Sequence, residues 1–148
     1  MTLTTKSNSG ARVGHVHLRV ADRDRSIAFY CDILGFDVTQ RYGAEAAFLG
    51  AGGYHHHIGL NTWDSAGGTP PPAGHTGLFH SAFLYPDRAA LAQVAARVVA
   101  AGIQIDGAAD HGVSEALFCA TRIKTASNFI LIATLRSGPA TPTAASKW

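Results

Sequence analysis

One pattern of alternating apolar and polar residues occurs twice along the chain. In each copy a histidine opens a strand-like run, first at His15 and again at His80. An aspartate follows each histidine at the same spacing, as Asp22 and as Asp87. Because histidine and aspartate recur together, the pattern indicates an internal repeat of one structural unit.

An amphipathic helix is predicted after each aspartate, which is a natural helix N-cap. A glycine ends each helix, Gly35 in the first copy and Gly102 in the second. The predicted apolar faces comprise Ile27, Tyr30 and Leu34 in the first helix, and Leu91, Val94, Ala95 and Val98 in the second.

Three short strands are predicted after each helix, separated by glycines and polar residues. They lie near 36–41, 45–50 and 54–61 in the first copy, and near 103–106, 115–120 and 128–135 in the second. The expected fold is α+β, with two tandem βαβββ modules. The alternative is an unrelated α+β sandwich in which the repeat arose by chance.

The domain boundaries follow from the same pattern. We expect one domain over 13–136, in which a linker rich in glycine and proline joins the two modules. The terminal segments are polar or rich in small residues and are predicted to be disordered. The expected ranges are 1–12 for the N-terminal segment, 13–65 and 75–136 for the modules, 66–74 for the linker and 137–148 for the tail.

Composition agrees with one globular domain and excludes several functions. The 148 residues are 47% hydrophobic and 15% charged, and the net charge is +2. This charge is weak and scattered, so nucleic acid is not an expected partner. No apolar run is long enough to span a bilayer, and residues 1–12 show no signal peptide. Cys31 and Cys119 are expected to be free thiols of a cytoplasmic protein.

Several separated motifs resemble those of the vicinal oxygen chelate superfamily, which includes glyoxalases and extradiol dioxygenases. Over residues 12 to 118 they occur in the family's order. The first-module motifs are Val13-Gly14-His15-Val16, Asp22, Ser26, Phe29-Tyr30 and Leu34-Gly35-Phe36. Those typical of the catechol 2,3-dioxygenase-like branch are 53–63, Gly77-Leu78-Phe79-His80 and 110–116.

The resemblance implies paired modules whose mixed sheet curls around a metal and a central cavity. It also implies metal ligands from a histidine on the first strand of each module, here His15 and His80, and from a glutamate on the last strand. Two histidines and one carboxylate leave coordination sites open for substrate and O₂, as in Fe(II) oxygenases. The expected ion is therefore Fe(II) or Mn(II).

Two further histidines have both a functional and a plain interpretation. His57 matches the acid–base catalyst of the extradiol branch, and lining the cavity without catalysis is the alternative. His17 lies two residues after His15 and is expected to face the same side of the strand. It either lines the cavity or is an ordinary surface or core histidine.

The resemblance breaks after Phe118. Relatives continue with an Asp-Pro-Asp-Gly-Asn-like turn and a strand carrying Glu-Leu-Tyr, whereas Asn128 stands here where the ligand glutamate is expected. Codons read from the third base of Phe118 permit Leu-Arg-Asp-Pro-Asp-Gln-Asn-Gly-Ile-Glu-Leu-Tyr, which is the missing pattern. The match requires that Ser127 uses a TCN codon. We hypothesise that this segment is an out-of-frame reading, either of an ancestral gene or through a separate insertion or deletion in the coding sequence.

The resemblance implies a small metal-dependent, dioxygenase-like enzyme, ancestrally an extradiol oxygenase of catechol-type rings. The missing glutamate predicts impaired activity and a metal that is held weakly or lost. One alternative is a glyoxalase- or isomerase-type metalloenzyme, and another is a metal-free binding protein of the bleomycin-resistance type. The expected partners are a small aromatic ligand and a second copy of the chain in a homodimer, without a membrane.

Overall fold

A computed structural model describes residues 10–110, 114–120 and 129–135. The first module contains one helix and four strands: β1 (Val16–Arg19), α1 (Arg23–Ala28), β2 (Asp37–Tyr42), β3 (Ala46–Gly50) and β4 (Ile58–Asn61). The second contains β5 (His80–Tyr85), α2 (Arg88–Ala100), β6 (Ile105–Asp110), β7 (Ser114–Ala120) and β8 (Phe129–Leu135).

Each module folds its strands into a four-stranded mixed sheet. The strand order is β1-β4-β3-β2 in the first sheet and β5-β8-β7-β6 in the second. The first and last strands of each module are parallel neighbours, and the other pairs are antiparallel. The order is the same in both sheets, so the predicted α+β fold of two tandem βαβββ modules is confirmed.

The helices begin where the sequence predicts. Asp22 accepts a hydrogen bond from the backbone N–H of Arg25 at 2.9 Å, and Asp87 accepts one from Ala90 at 2.8 Å. These aspartates satisfy N–H groups that have no partner within the helix. Gly35 follows the first helical segment with a φ of 86°, a conformation that favours glycine.

A π-helical turn over Phe29–Ile33 continues α1, and the sequence analysis did not predict it. Its wider winding is seen in the hydrogen bond from Leu34 N–H to the Phe29 carbonyl at 3.3 Å. Tyr30 and Leu34 are nevertheless almost fully buried, as the predicted apolar face requires. The turn therefore changes the backbone path and keeps the core face of the helix.

The two modules meet around this π-helical turn. The Phe83 ring of β5 packs against the rings of Tyr30 and Phe36, with centroids 6.1 and 5.4 Å apart. The Tyr85 hydroxyl donates a hydrogen bond to the Leu34 carbonyl at 2.8 Å, and Arg97 of α2 donates one to Ile33 at 2.7 Å. One hydrophobic core consequently includes side chains of both modules.

The predicted strand over 54–61 is wrong in its first half, because β4 begins only at Ile58. Residues 50–57 form a tight turn instead. A side chain on Gly50 would collide with the Tyr54 carbonyl, and Gly52 and Gly53 have φ values of 61° and 78°. These glycines let the chain fold back on itself, which places His55, His56 and His57 at the end of a turn.

The described residues leave part of the predicted organisation outside the structure. Asn128, residues 111–113 and the segment 137–148 lie outside them. Within the described part, no helix is long and apolar enough to cross a membrane.

Replacing Tyr85 with phenylalanine tests the contact between modules. The variant leaves the buried Leu34 carbonyl without this donor, so the free energy of unfolding should fall by about 1 kcal/mol. Chemical denaturation at neutral pH measures this loss. A variant as stable as the parent would show that the hydrogen bond adds nothing.

The pH dependence of the same variant gives a second readout of Tyr85. Burial raises the pKa of its hydroxyl from 10.0 to about 12. A raised folded-state pKa stabilises the protein below pH 10, and this contribution is lost as the pH rises towards 12. Tyr85→Phe should therefore lose less stability than the parent over that alkaline range.

Candidate ligand and metal site

One cavity of about 710 Å³ brings together the three histidines proposed for chemistry. His15, His57 and His80 all line it. Most of its other walls are apolar side chains from both modules, among them Val13, Phe36, Phe83 and Leu84. The cavity is therefore suited to an apolar ligand that meets imidazole groups at a few positions.

The two proposed metal ligands come from equivalent places in the modules. His15 directly precedes β1 and is exposed, whereas His80 is the first residue of β5 and is half-buried. In the parallel register of the second sheet, His80 pairs with Phe129, the first residue of β8. The position level with His80 on the last strand is therefore 129. The proposed third-ligand position, Asn128, is its neighbour in sequence.

His57 is fixed by hydrogen bonds to its backbone and ring. Its N–H donates to the Leu49 carbonyl at 2.8 Å, and its carbonyl accepts from Val16 at 3.0 Å. Its ring Nδ1 accepts a hydrogen bond from the Ala51 N–H at 3.3 Å, and the ring packs 4.5 Å from that of Tyr54. Because Nδ1 accepts, the neutral ring carries its proton on Nε2.

The described residues do not make a complete metal site by themselves. Within 10–110, 114–120 and 129–135, no three His, Cys, Asp or Glu side chains are grouped so that they could hold an ion. His15 and His80 supply two imidazoles to one cavity. Since a three-ligand set needs a further donor, no metal-dependent step follows from these residues alone.

A second set of rings lies along the first sheet and was only partly anticipated. His17 is exposed between the less accessible Val16 and Leu18, and it is not among the described residues that line the cavity. Its ring centroid is 5.9 Å from that of Phe48 and 5.8 Å from that of Trp63. Partial burial, and then the nearby His15, lower the pKa of His17.

His17 lies over Gly59, its partner on β4. A Cβ at Gly59 would be 2.8 Å from the Cγ of the His17 ring. The missing side chain thus provides the space that the imidazole occupies. Sequence analysis missed this role of Gly59, because nothing local marks a strand glycine as the site of a close approach.

The three consecutive histidines His55, His56 and His57 precede β4 and so do not lie on a strand. His55 and His57 both pack against Tyr54, and His55 also packs against His56 with 4.5 Å between ring centroids. His56 in turn contacts His15, also at 4.5 Å. Partial burial, then His15 and His55, lower the pKa of His56.

Comparison with known proteins identifies related sequences. A family model described as the Glyoxalase/Bleomycin resistance protein/Dioxygenase superfamily matches residues 12–130. The catechol-2,3-dioxygenase of Bacillus subtilis (strain 168) is 45% identical over 95 residues, which are 64% of this chain and 33% of that protein. The chain therefore spans about a third of the length of this curated relative.

Solved structures show the same fold at lower identity. A glyoxylase/bleomycin resistance protein/dioxygenase domain from Frankia sp. EAN1pec has a TM-score of 0.67 and 23% identity, covering 85% of this chain and 98% of that one. A lactoylglutathione lyase from Agrobacterium tumefaciens has a TM-score of 0.62 and 19% identity, covering 86% and 95%.

The close approach of His17 and Gly59 gives a testable prediction. Gly59→Ala should displace the ring and lower the free energy of unfolding by about 1–3 kcal/mol, the usual range for overpacking. Gly14→Ala is the matched control, because a Cβ there would be 3.7 Å from the Tyr54 hydroxyl, an ordinary contact.

A double-mutant cycle with His17→Ala isolates the contact between ring and glycine. In the His17→Ala background the added methyl meets no ring, so Gly59→Ala should then cost less than about 0.5 kcal/mol. An equal cost in both backgrounds would place the steric conflict elsewhere. Urea denaturation of the four proteins provides these values.

Proposed function

The chain belongs to the glyoxalase/bleomycin resistance protein/dioxygenase superfamily, and on this premise we propose that it is a small metal-dependent, dioxygenase-like protein. The observation that carries the proposal is the single cavity lined by His15, His57 and His80. His15 directly precedes β1, His80 begins β5, and His57 ends the turn before β4. Ring-opening oxygenation of a catechol-type substrate is the proposed ancestral activity.

The similarity to a catechol-2,3-dioxygenase supports this activity over others of the superfamily. At 45% identity over 95 residues, that relative is far more similar in sequence than the solved structures quoted above. The apolar cavity walls suit an aromatic ring, because burying apolar surface favours binding. The relative is much longer than the matched segment, so substrate and activity are proposals for this chain.

Metal binding is proposed to use His15 and His80. Members of this superfamily typically bind a divalent metal, and we propose Fe(II) or Mn(II) here. When bound, such an ion would supply the coordination of substrate and O₂ that ring cleavage needs. The described residues offer it imidazole nitrogens, and a carboxylate would have to come from elsewhere.

His57 is proposed to move a proton, and its hydrogen bonds indicate in which direction. The Ala51 N–H donates a hydrogen bond to Nδ1 of His57. In the neutral ring the proton is therefore on Nε2, which can donate it. Nε2 therefore acts as a hydrogen-bond or proton donor to a bound ligand. To accept a proton from a substrate hydroxyl, the ring would first have to lose the Ala51 contact.

The altered segment after Phe118 bears directly on activity. The family match runs to residue 130 and thus includes this segment, where Asn128 stands in the place expected for a glutamate. An amide oxygen is neutral and is a poorer ligand for a hard divalent ion than a carboxylate. We therefore propose that a change of reading frame removed the third ligand and impaired the oxygenase.

A second candidate is a metal-free binding protein that uses the same cavity. It is favoured by the absence of a three-ligand group among the described side chains. The cavity and its apolar walls suffice to bind an apolar ligand without chemistry. Bound metal in the purified protein distinguishes the two functions.

We also propose a homodimer in the cytoplasm. Leu84 and Leu135 of the second sheet are 62% and 61% exposed, and covering such side chains favours pairing of copies. Both cysteines are free, as in proteins of a reducing compartment. Light scattering checks the dimer, and a monomeric mass at micromolar concentration would contradict it.

The metal content of the unmodified chain is the first test of the proposed function. After dialysis we expect less than one equivalent of Fe or Mn, because a carboxylate ligand is missing. Restoring the twelve residues 119–130 to Leu-Arg-Asp-Pro-Asp-Gln-Asn-Gly-Ile-Glu-Leu-Tyr should give one equivalent. One equivalent in the unmodified chain, measured by elemental analysis, would contradict the loss of a ligand.

Two single substitutions test whether the missing carboxylate or the register of β8 limits metal binding. Asn128→Glu restores the carboxylate at the family position and should recover the metal only partly, since the preceding turn differs too. Phe129→Glu places a carboxylate level with His80 in the observed register. If Phe129→Glu recovers more metal than Asn128→Glu, the β8 register limits the site.

Activity tests the role of His57. In the restored chain loaded with Fe(II), His57→Gln should lower the rate of catechol ring cleavage by about 10²–10⁴-fold, the usual contribution of a general acid. The metal content should not change. His75→Gln, which changes an exposed histidine ahead of β5, is the matched control. An unaltered rate in His57→Gln would show that His57 lines the cavity without taking part in catalysis.

A further inference from the structure

His55 and His56 are a second pair of imidazoles that the proposed oxygenase site does not use. Their Nδ1 atoms lie 2.8 Å apart. His55 is exposed and His56 is half-buried, so the pair is reached from solvent. It stands at the end of the turn over 50–57, where the His56 ring is 4.5 Å from that of His15, whereas His80 belongs to the second sheet.

The separation of the two nitrogens matches that of neighbouring ligands on one ion. Imidazole nitrogens bind first-row divalent ions at about 2.0–2.1 Å. Two such nitrogens at a right angle are then roughly 2.9 Å apart, and in a tetrahedral site roughly 3.3 Å apart. The observed 2.8 Å corresponds to the right angle of tetragonal and square-planar sites.

Aromatic neighbours hold both rings in place before any ion binds. Tyr54 packs against His55 with ring centroids 4.2 Å apart, and Phe48 packs against His56 at 4.9 Å. In the metal-free protein one Nδ1 donates to the other. An ion replaces this bond when the donated proton moves to Nε2 of the same ring, so no net proton is released.

We propose that His55 and His56 form a binding site for a late divalent transition metal ion, with Cu²⁺ preferred, then Ni²⁺, and Zn²⁺ bound more weakly. Imidazole suits these ions, and the right-angled arrangement favours Cu²⁺ and Ni²⁺ over tetrahedral Zn²⁺. Because the described side chains provide no group of three donors, water completes the coordination, and the affinity is lower than that of a full protein site.

The site is tested with Cu²⁺ on the full chain, purified without an added histidine tag. Electron paramagnetic resonance should show a tetragonal Cu²⁺ with splitting from two imidazole nitrogens, at one ion per chain. His55→Ala and His56→Ala should each weaken binding at least about tenfold, the lower limit seen when even an outer partner of a metal ligand is removed. Calorimetry with Ni²⁺ and Zn²⁺ should give the order Ni²⁺ tighter than Zn²⁺.

Matched variants distinguish this pair from other histidines. His75→Ala removes an exposed histidine and His80→Ala removes one from the proposed oxygenase site, and both should leave Cu²⁺ binding unchanged. Equal affinity of the parent and the His55→Ala/His56→Ala double variant would overturn the proposal. So would a loss that follows His80→Ala, because the ion would then lie in the cavity. Circular dichroism confirms that each variant is folded.

Discussion

The contact between the two modules is the constraint on which the cavity depends. His15 and His57 belong to the first module, and the imidazole of His80 joins them in one cavity only because the second module packs against the first. The π-helical turn over Phe29–Ile33 supports this contact, since carbonyl groups at its end accept hydrogen bonds from Tyr85 and Arg97. The Phe83 ring fills the space beside them. Polar bonds thus fix the orientation, and apolar packing supplies most of the free energy.

The glycine-rich turn over 50–57 is the second determinant of the site. The backbone folds back at Gly50. The last residue of the turn, His57, is thereby held against β1 and β3 by two backbone hydrogen bonds. His55 and His56 then pack on the rings of Tyr54 and Phe48 instead of alternating across a sheet. This turn therefore places the His57 ring in the cavity and leaves His55 and His56 as a separate pair.

Sequence alone predicted the elements of the fold well, and the placement of the rings only in part. Helix starts at Asp22 and Asp87 follow from a local rule, because an aspartate caps the helix that begins beside it. The repeat predicted equivalent first strands, since both copies carry the same spacing. The start of β4 at Ile58 depends on how several glycines bend the backbone together, and an apolar and histidine pattern does not reveal it.

The donors that this chain retains differ in kind from those it lacks. Carboxylates suit harder ions such as Mn²⁺, whereas imidazoles suit Cu²⁺, Ni²⁺ and Zn²⁺. With Asn128 at the glutamate position, the first module still carries His15, His17, His55 and His56. On the two proposals made above, loss of the carboxylate weakens the oxygenase metal without touching the adjacent pair. Affinity for late transition metals would then persist after the oxygenase chemistry is lost, because the former depends on the turn over 50–57 and the latter on the carboxylate position at 128.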